Sequence, residues 1–223
     1  MIKDLLLVKD NFFTNPDKIL PLFDRQKFYK SWAYPGSRSH NLLESEDDST
    51  RNFALYFTHK IANEVIPGLH GFYIDVRLHI NDIYDDEILN QGWIHCDKAD
   101  LAGIVYLSKE ELSLDTGTSI FFKTSAEEFT SRDIQSRKMF NQYGTSLEEY
   151  KRDLKDNFNQ FTEISRIGNV YNRLVAYDAT MFHRPNRYNL SSKRMRQTLV
   201  FFIRNVKQNY PEKTDIKFNW VDL

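Results

Sequence analysis

A single cysteine, Cys96, stands in the 223 residues of this chain. No internal disulfide can form, which excludes the small secreted scaffold stapled by bridges and fits a reducing cytoplasm. Glycine is also scarce, at 8 residues. The chain carries no glycine-rich phosphate loop and no Gly-x-Ser-x-Gly elbow, so the common nucleotide-binding and hydrolase classes drop out. Long apolar runs are missing too. Leu5 to Val8 is too short for a signal-peptide core, and nothing elsewhere approaches the roughly 18 residues of a spanning helix. The expectation is a soluble, cytoplasmic protein with no membrane partner. Nor is there an excess of charge of one sign: 30 basic and 31 acidic residues leave a net −1. Without a whole-molecule positive field, duplex nucleic acid is not an expected partner.

What is abundant is aromatic: 17 Phe, 12 Tyr and 3 Trp. Such side chains fit a pleated, half-buried surface and point to a β-rich core. The length suits one well-buried domain, read as residues 1–223. A strand is expected at 4–8, and a helix from Asn15-Pro16-Asp17 toward Tyr29. A loop follows at Pro35-Gly36-Ser37, then a second helix over about 49–65, capped by Ser49 or Thr50. Phe72, Ile74, Val76, Leu78 and Ile80 alternate with polar residues, a strand with one buried face and with Arg77 and His79 on the other. Further strand-like runs fall at 92–96, 102–107, 118–123, 169–177, 180–184 and 196–204.

Eight or so short strands behind N-terminal helices give a mainly β protein with flanking helices (α+β), a double-stranded β-helix of the jelly-roll type. The charged, helical stretch at about 125–165 would be an insertion between two barrel strands. It reads equally as a lid or partner surface and as a solvated decoration.

The chemistry concentrates in Gly92-Trp93-Ile94-His95-Cys96-Asp97. Residues i and i+2 of a strand share a face, so His95 and Asp97 project together while Cys96 points away as a packed or half-buried thiol. An imidazole and a carboxylate can take adjacent positions around a metal. A second histidine from another strand would complete a two-His, one-carboxylate face with three open positions, the arrangement suited to non-haem Fe(II). His183, ending a strand-turn-strand passage from Asn172, is available for this. Downstream, Arg196-Gln197-Thr198-Leu199-Val200 is strongly apolar, with Arg196 and Thr198 on one face. If buried, that guanidinium needs an anion, for which a bidentate carboxylate is suited. On spacing alone, it could equally reach solvent at the strand start.

The ordered series His95-x-Asp97, Ile104-Val105-Tyr106-Leu107-Ser108, Gly117-Thr118-Ser119-Ile120-Phe121-Phe122, Asn172-Arg173-Leu174-Val175-Ala176-Tyr177, Met181-Phe182-His183 and Arg196-x-Thr198-Leu199 resembles the 2-oxoglutarate/Fe(II) dioxygenase superfamily. It is most similar to the prolyl-hydroxylase-like branch and to small phage and marine-microbial oxygenases. The resemblance covers about residues 72–204.

It implies Fe(II) as cofactor and 2-oxoglutarate and dioxygen as co-substrates, with hydroxylation of a small-molecule or peptide substrate and release of succinate and CO2. It also implies His95, Asp97 and His183 as metal ligands and Arg196, with Thr198 beside it, as the grip on the distal carboxylate. Tyr106 would hydrogen-bond the same carboxylate. The interval from His183 to Arg196 is longer than in many relatives and holds Arg184, Arg187 and Arg194. Arg194 shares the face of Arg196 if the strand begins early, and is a second candidate for the anchor. Two other classes stand beside this reading: a cupin-type metal enzyme that does not use 2-oxoglutarate, and a jelly-roll binding module without catalysis. Prime substrate and oligomeric state are not legible.

Overall fold

Alternation of apolar and polar side chains gives each strand two usable faces, and the fold employs both. The structure is a computed structural model and describes residues 4–31, 33–68, 71–109, 113–124, 144, 146–189 and 195–207. Ten strands are described: β1 (Leu6–Lys9), β2 (Phe28–Ser31), β3 (Tyr34–Ser39), β4 (Tyr73–Ile80), β5 (Leu101–Tyr106), β6 (Ser113–Lys123), β7 (Phe161–Asn169), β8 (Leu174–Asp178), β9 (Phe182–Pro185) and β10 (Gln197–Arg204). Three helices accompany them: α1 (Leu20–Arg25), α2 (Asp48–Glu64) and α3 (Leu147–Phe158). The strands form a seven-stranded sheet, β1-β8-β5-β10-β4-β3-β2, and a three-stranded sheet, β7-β6-β9. Their pairing is antiparallel. This is the double-stranded β-helix that the sequence pattern implies.

The outer face of the large sheet carries the main core. Ile74, Val76 and Leu78 of β4 and Leu199, Phe201 and Ile203 of β10 pack against Phe53, Phe57 and Ile61 of α2. Phe57 meets Phe201 edge to face at 5.3 Å, a geometry favoured by the ring quadrupoles. Gly103 of β5 lies opposite Phe201 in register. A Cβ there would sit 2.3 Å from the Phe201 ring, so only glycine leaves space for it. A smaller core lies on the inner face, where Ala102, Tyr106, Val175 and Tyr177 meet Ile120 and Ile167 of the small sheet.

Several expected elements shift. The first helix ends at Arg25, and β2 and β3 pair antiparallel, with residues 35–37 in β3 rather than in a loop. Gly36 has φ +76°, and a Cβ on it would come 2.1 Å from the Ile80 carbonyl oxygen. Pro35-Gly36 therefore marks a close approach of two backbones, not a turn. Asp47, not Ser49 or Thr50, caps α2, its carboxylate accepting from Thr50 N at 2.9 Å and Thr50 Oγ1 at 2.6 Å. The run at 92–96 is no strand: it makes one isolated bridge, His95 to His183. Arg77 and His79, on the polar face of β4 as expected, line the inner cavity. Of the 125–165 insertion, 125–143 and 145 lie outside the described residues. The remainder gives α3 and the first part of β7, with β6 and β7 flanking it.

The expected run 169–177 is broken by a left-handed residue, Asn172, at φ 63°. Its backbone N–H donates to Tyr106 O at 2.8 Å, and its carbonyl accepts from Phe12 N at 3.0 Å. Its carboxamide accepts from Phe13 N at 2.8 Å and donates to Phe13 O at 2.7 Å. Arg173 next to it donates through Nη2 to Asp10 at 2.9 Å and through Nη1 to Gly168 O at 3.1 Å. Together they fasten the N-terminal segment to the barrel. Asn172→Gly keeps the backbone conformation but strands a buried N–H and carbonyl at Phe13, and is expected to cost roughly 2–4 kcal/mol. Asn172→Ala should cost about 1 kcal/mol more, because a Cβ disfavours the left-handed region. Chemical denaturation of both variants measures the two contributions separately.

Candidate metal centre

Two non-adjacent segments meet where the sheets converge. His95 N donates to His183 O at 3.0 Å and His183 N to His95 O at 2.8 Å, the mutual pair of an antiparallel bridge. Residues so paired put their side chains on one side, and the rings stand 4.5 Å apart. Asp97 N donates to Ala179 O at 2.8 Å, which extends the pairing by two residues and brings the carboxylate to the same side. Asp97 Oδ2 lies 3.2 Å from His183 Nε2, and Oδ1 lies 3.9 Å from His95 Nε2. One ligand atom from each of the three residues falls within 4.8 Å of the others, a cluster able to hold a metal ion.

The tautomers follow from the hydrogen bonds. His95 Nδ1 lies 2.8 Å from Trp93 O, and His183 Nδ1 lies 2.9 Å from Met181 O. A carbonyl only accepts, so both Nδ1 atoms carry the proton and both Nε2 lone pairs point to the shared site. Burial would raise the Asp97 carboxyl. With the imidazoles protonated, the hydrogen bond and charge of His183, with the charges of His95 and Arg38, outweigh it and hold that carboxyl well below the ordinary range; in the neutral tautomers the Nε2 lone pairs are left for a metal ion. Cys96 is exposed, contrary to the packed or half-buried thiol expected for it.

The insertion supplies the support. Asn157 of α3, buried, accepts from Ile94 N at 2.9 Å and donates to Ile94 O at 3.1 Å, as a neighbouring strand would. Trp93 Nε1 donates to Tyr150 OH at 2.8 Å. The helix holds the residues just before His95, so it is not a solvated decoration. Across the site, Asn90 Oδ1 accepts from Tyr188 N and Asn189 N at 3.0 Å each, which fixes the chain beyond His183.

The cluster opens on a cavity of about 680 Å³ between the sheets, also lined by Arg196, Thr118, Tyr177, Trp93 and Phe202. Arg196 is only 2% exposed, its guanidinium 5.1 Å above the Tyr106 ring. Tyr106 OH and Thr118 Oγ1 are hydrogen-bonded at 2.7 Å. Thr198 lies opposite Tyr106 in register, and its Oγ1 is buried with no hydrogen-bond partner among the described residues. The structure thus gathers His95, Asp97, His183 and Arg196 around one cavity, with Tyr106 buried under the Arg196 guanidinium and Thr198 opposite Tyr106 on the neighbouring strand. Arg194 lies outside the described residues. Arg184 stacks on Phe158 at 4.0 Å, and Arg187 pairs with Glu87 at 3.0 Å.

Sequence reasoning missed Thr118, Tyr177 and Asn157. The first two sit inside recognised motifs at inward-facing positions. Asn157 had no signal, because a polar residue in a charged helix reads as solvated.

The fold matches solved structures at low identity. HygX from Streptomyces hygroscopicus, with nickel and 2-oxoglutarate bound, is similar at TM-score 0.55 and 12% identity, over 88% of this chain and 82% of that one. The same protein with nickel, 2-oxoglutarate and hygromycin B is similar at TM-score 0.56, 9% identity and the same coverage. SnoK, a non-heme alpha-ketoglutarate-dependent carbocyclase from nogalamycin biosynthesis, matches at TM-score 0.53 and 9% identity over 90% and 80% of the two chains. No curated protein sequence matches. A family model described as a family of unknown function, DUF6445, matches residues 2–188.

Asn157→Ala would leave the buried Ile94 N–H and carbonyl unpaired, and is expected to lower stability by about 2–4 kcal/mol. Tyr150→Phe, which removes one acceptor, should cost about 1 kcal/mol. Denaturation followed by the fluorescence of Trp93, buried beside both, checks the order.

Proposed function

The chain belongs to the DUF6445 family, and from the geometry of its site we propose that it is an iron(II)- and 2-oxoglutarate-dependent oxygenase acting on a small molecule or a peptide side chain. The observation that carries this reading is the pairing of a His-Asp-His cluster with a deeply buried arginine across one cavity. The shared fold with HygX and SnoK supports it.

The residues fit the metal. Two Nε2 lone pairs and one carboxylate converge, with each imidazole oriented by a backbone carbonyl. Three protein ligands suit a metal that must keep positions open for other partners. They also fit the co-substrate. Arg196 presents a planar fork suited to a carboxylate, and the Thr198 hydroxyl beside it has a donor to give. Tyr106, tied to Thr118, forms the third side of that corner. When bound, iron(II) with 2-oxoglutarate and dioxygen supplies the oxidising chemistry, in which the co-substrate is decarboxylated to succinate and CO2. The protein orients three ligands, neutralises the distal carboxylate and keeps the wall of the cavity dry with Val200, Phe202 and Tyr177.

Anaerobic addition of 2-oxoglutarate to Fe(II)-loaded protein should produce a visible metal-to-ligand charge-transfer band. His95→Ala and His183→Ala should abolish it. Arg196→Met should weaken the co-substrate on the order of 100-fold, and Thr198→Val several-fold. Fe(II) binding without a band would favour the cupin-type alternative. Independently of turnover, Fe(II) should raise the melting midpoint of the wild type by linkage. Asp97→Ala should remove that rise, and no rise in the wild type would refute the metal assignment.

A further inference from the structure

We propose that Arg38 is the specificity residue of this site, and that the prime substrate is a small molecule carrying an oxyanion, a carboxylate or a phosphate, which docks on the Arg38 guanidinium. The proposal rests on the oxygenase reading above and names the substrate class it leaves open.

The register of the large sheet places the residue. Arg38 of β3 stands opposite His79 of β4, His79 opposite Thr198 of β10, and Thr198 opposite Tyr106 of β5. Directly opposed residues project from the same face, so these four form one row across the inner face of the sheet; Arg38 and His79 line the cavity, and Thr198 and Tyr106 are buried at the Arg196 end of it. The co-substrate corner occupies the β10/β5 end of the row. Arg38 occupies the other end, two strands away, and lines the same cavity as the metal cluster. The register is not incidental. Beyond the two paired residues of β3, Ser39 Oγ accepts from Leu78 N at 3.0 Å and Asn41 Oδ1 accepts from Val76 N at 3.1 Å. Side chains thus continue the ladder that holds Arg38 in place.

The charges around the cavity single it out. Arg77 is committed to Asp75 at 2.8 Å, and Arg204 donates to Lys98 O at 3.1 Å. Arg38 has neither a hydrogen bond nor an ion pair among the described residues, and its Nε is buried without an acceptor. The guanidinium lies 4.2 Å above the Tyr34 ring and 5.6 Å from that of Phe202. Aromatic faces hold a guanidinium flat but accept no N–H, so the fork stays available for an oxyanion. The carboxylate whose charge acts most on Arg38 is Asp97, which the metal claims. His79, between Arg38 and Arg196, is kept neutral by burial and then by the charge of Arg38, so it adds no further positive charge to the row, and an imidazole offers no anion. A half-buried cation with no counter-charge beside it has lost part of its hydration, and a substrate anion offsets that loss.

The test uses matched pairs of probes on the anaerobic Fe(II)·2-oxoglutarate protein: N-acetyl-leucine against its amide, phenylpropionate against its amide, and glycerol 3-phosphate against glycerol. Binding is read from perturbation of the charge-transfer band and from the melting midpoint. At least one acid should bind tenfold or more tightly than its neutral partner. Arg38→Met should erase that preference while leaving the band formed with 2-oxoglutarate alone in place, and Arg38→Lys should restore part of it. Preference within the carboxylate pairs or the phosphate pair distinguishes the two anions.

Three results would overturn the proposal: no acid preferred over its partner, an unchanged preference in Arg38→Met, or loss of the 2-oxoglutarate band itself in Arg38→Met, which would make Arg38 part of the co-substrate anchor. Failure of the wild type to form the band at all would count against the oxygenase reading instead. The melting midpoints of wild type and Arg38→Met with the same probes would then still decide whether Arg38 selects anions.

Discussion

Two backbone hydrogen bonds, His95 N to His183 O and His183 N to His95 O, hold the site together. They form the isolated bridge of the 92–97 segment, and they fix two imidazoles from residues 88 positions apart side by side. A metal site needs its ligands within a few tenths of an ångström of their places. Side-chain packing alone seldom gives that, whereas a mutual N–H to carbonyl pair leaves the backbone little freedom. The Nδ1 bonds to Trp93 O and Met181 O then set ring rotation and tautomer from within the same two segments.

Because this bridge is a single residue pair, the chain around it must be secured by other means. The structure uses buried carboxamides in place of a longer ladder. Asn157 pairs with Ile94, Asn90 with Tyr188 and Asn189, and Asn172 with Phe13. An asparagine side chain carries one acceptor and two donors in the plane of an amide, so it can complete a backbone edge where no strand runs. The arrangement also couples the insertion to the site: α3 contributes Asn157 and Tyr150 to the segment that carries His95.

The large sheet divides its labour by face. Its outer face is packed with aliphatic and phenyl side chains under α2 and supplies most of the apolar burial. Its inner face mixes polar and apolar groups, with Arg38, His79, Thr198 and Tyr106 in one row and Asp75, Phe202, Ala102 and Tyr177 in another. Polar groups on an inner wall cost stability unless they are paired or meet a ligand. The wall is stable because the outer core compensates for it.

Strand alternation, the aromatic content and the two-residue spacing of His95 and Asp97 were determined by the sequence, since each depends only on near neighbours along the chain. From them the β-rich barrel, most strand positions and the shared face of His95 and Asp97 could be read; the parts of His183, Arg196, Thr198 and Tyr106 were implied only by the resemblance to the oxygenase superfamily. The β2/β3 pairing could not be read, because Pro35-Gly36 has the composition of a turn and only the approach of β4 shows why glycine is needed. The cap at Asp47 and the broken strand at Asn172 were hidden for a similar reason: Ser, Thr, Asn and Asp all suit such positions locally. Tertiary structure alone decided that α3 supports the metal segment, that His79 and Arg77 face a cavity, and that Arg38 shares a row with Thr198 and Tyr106. Those facts depend on which strands become neighbours and in what register, and register is settled by contacts between residues far apart in the chain.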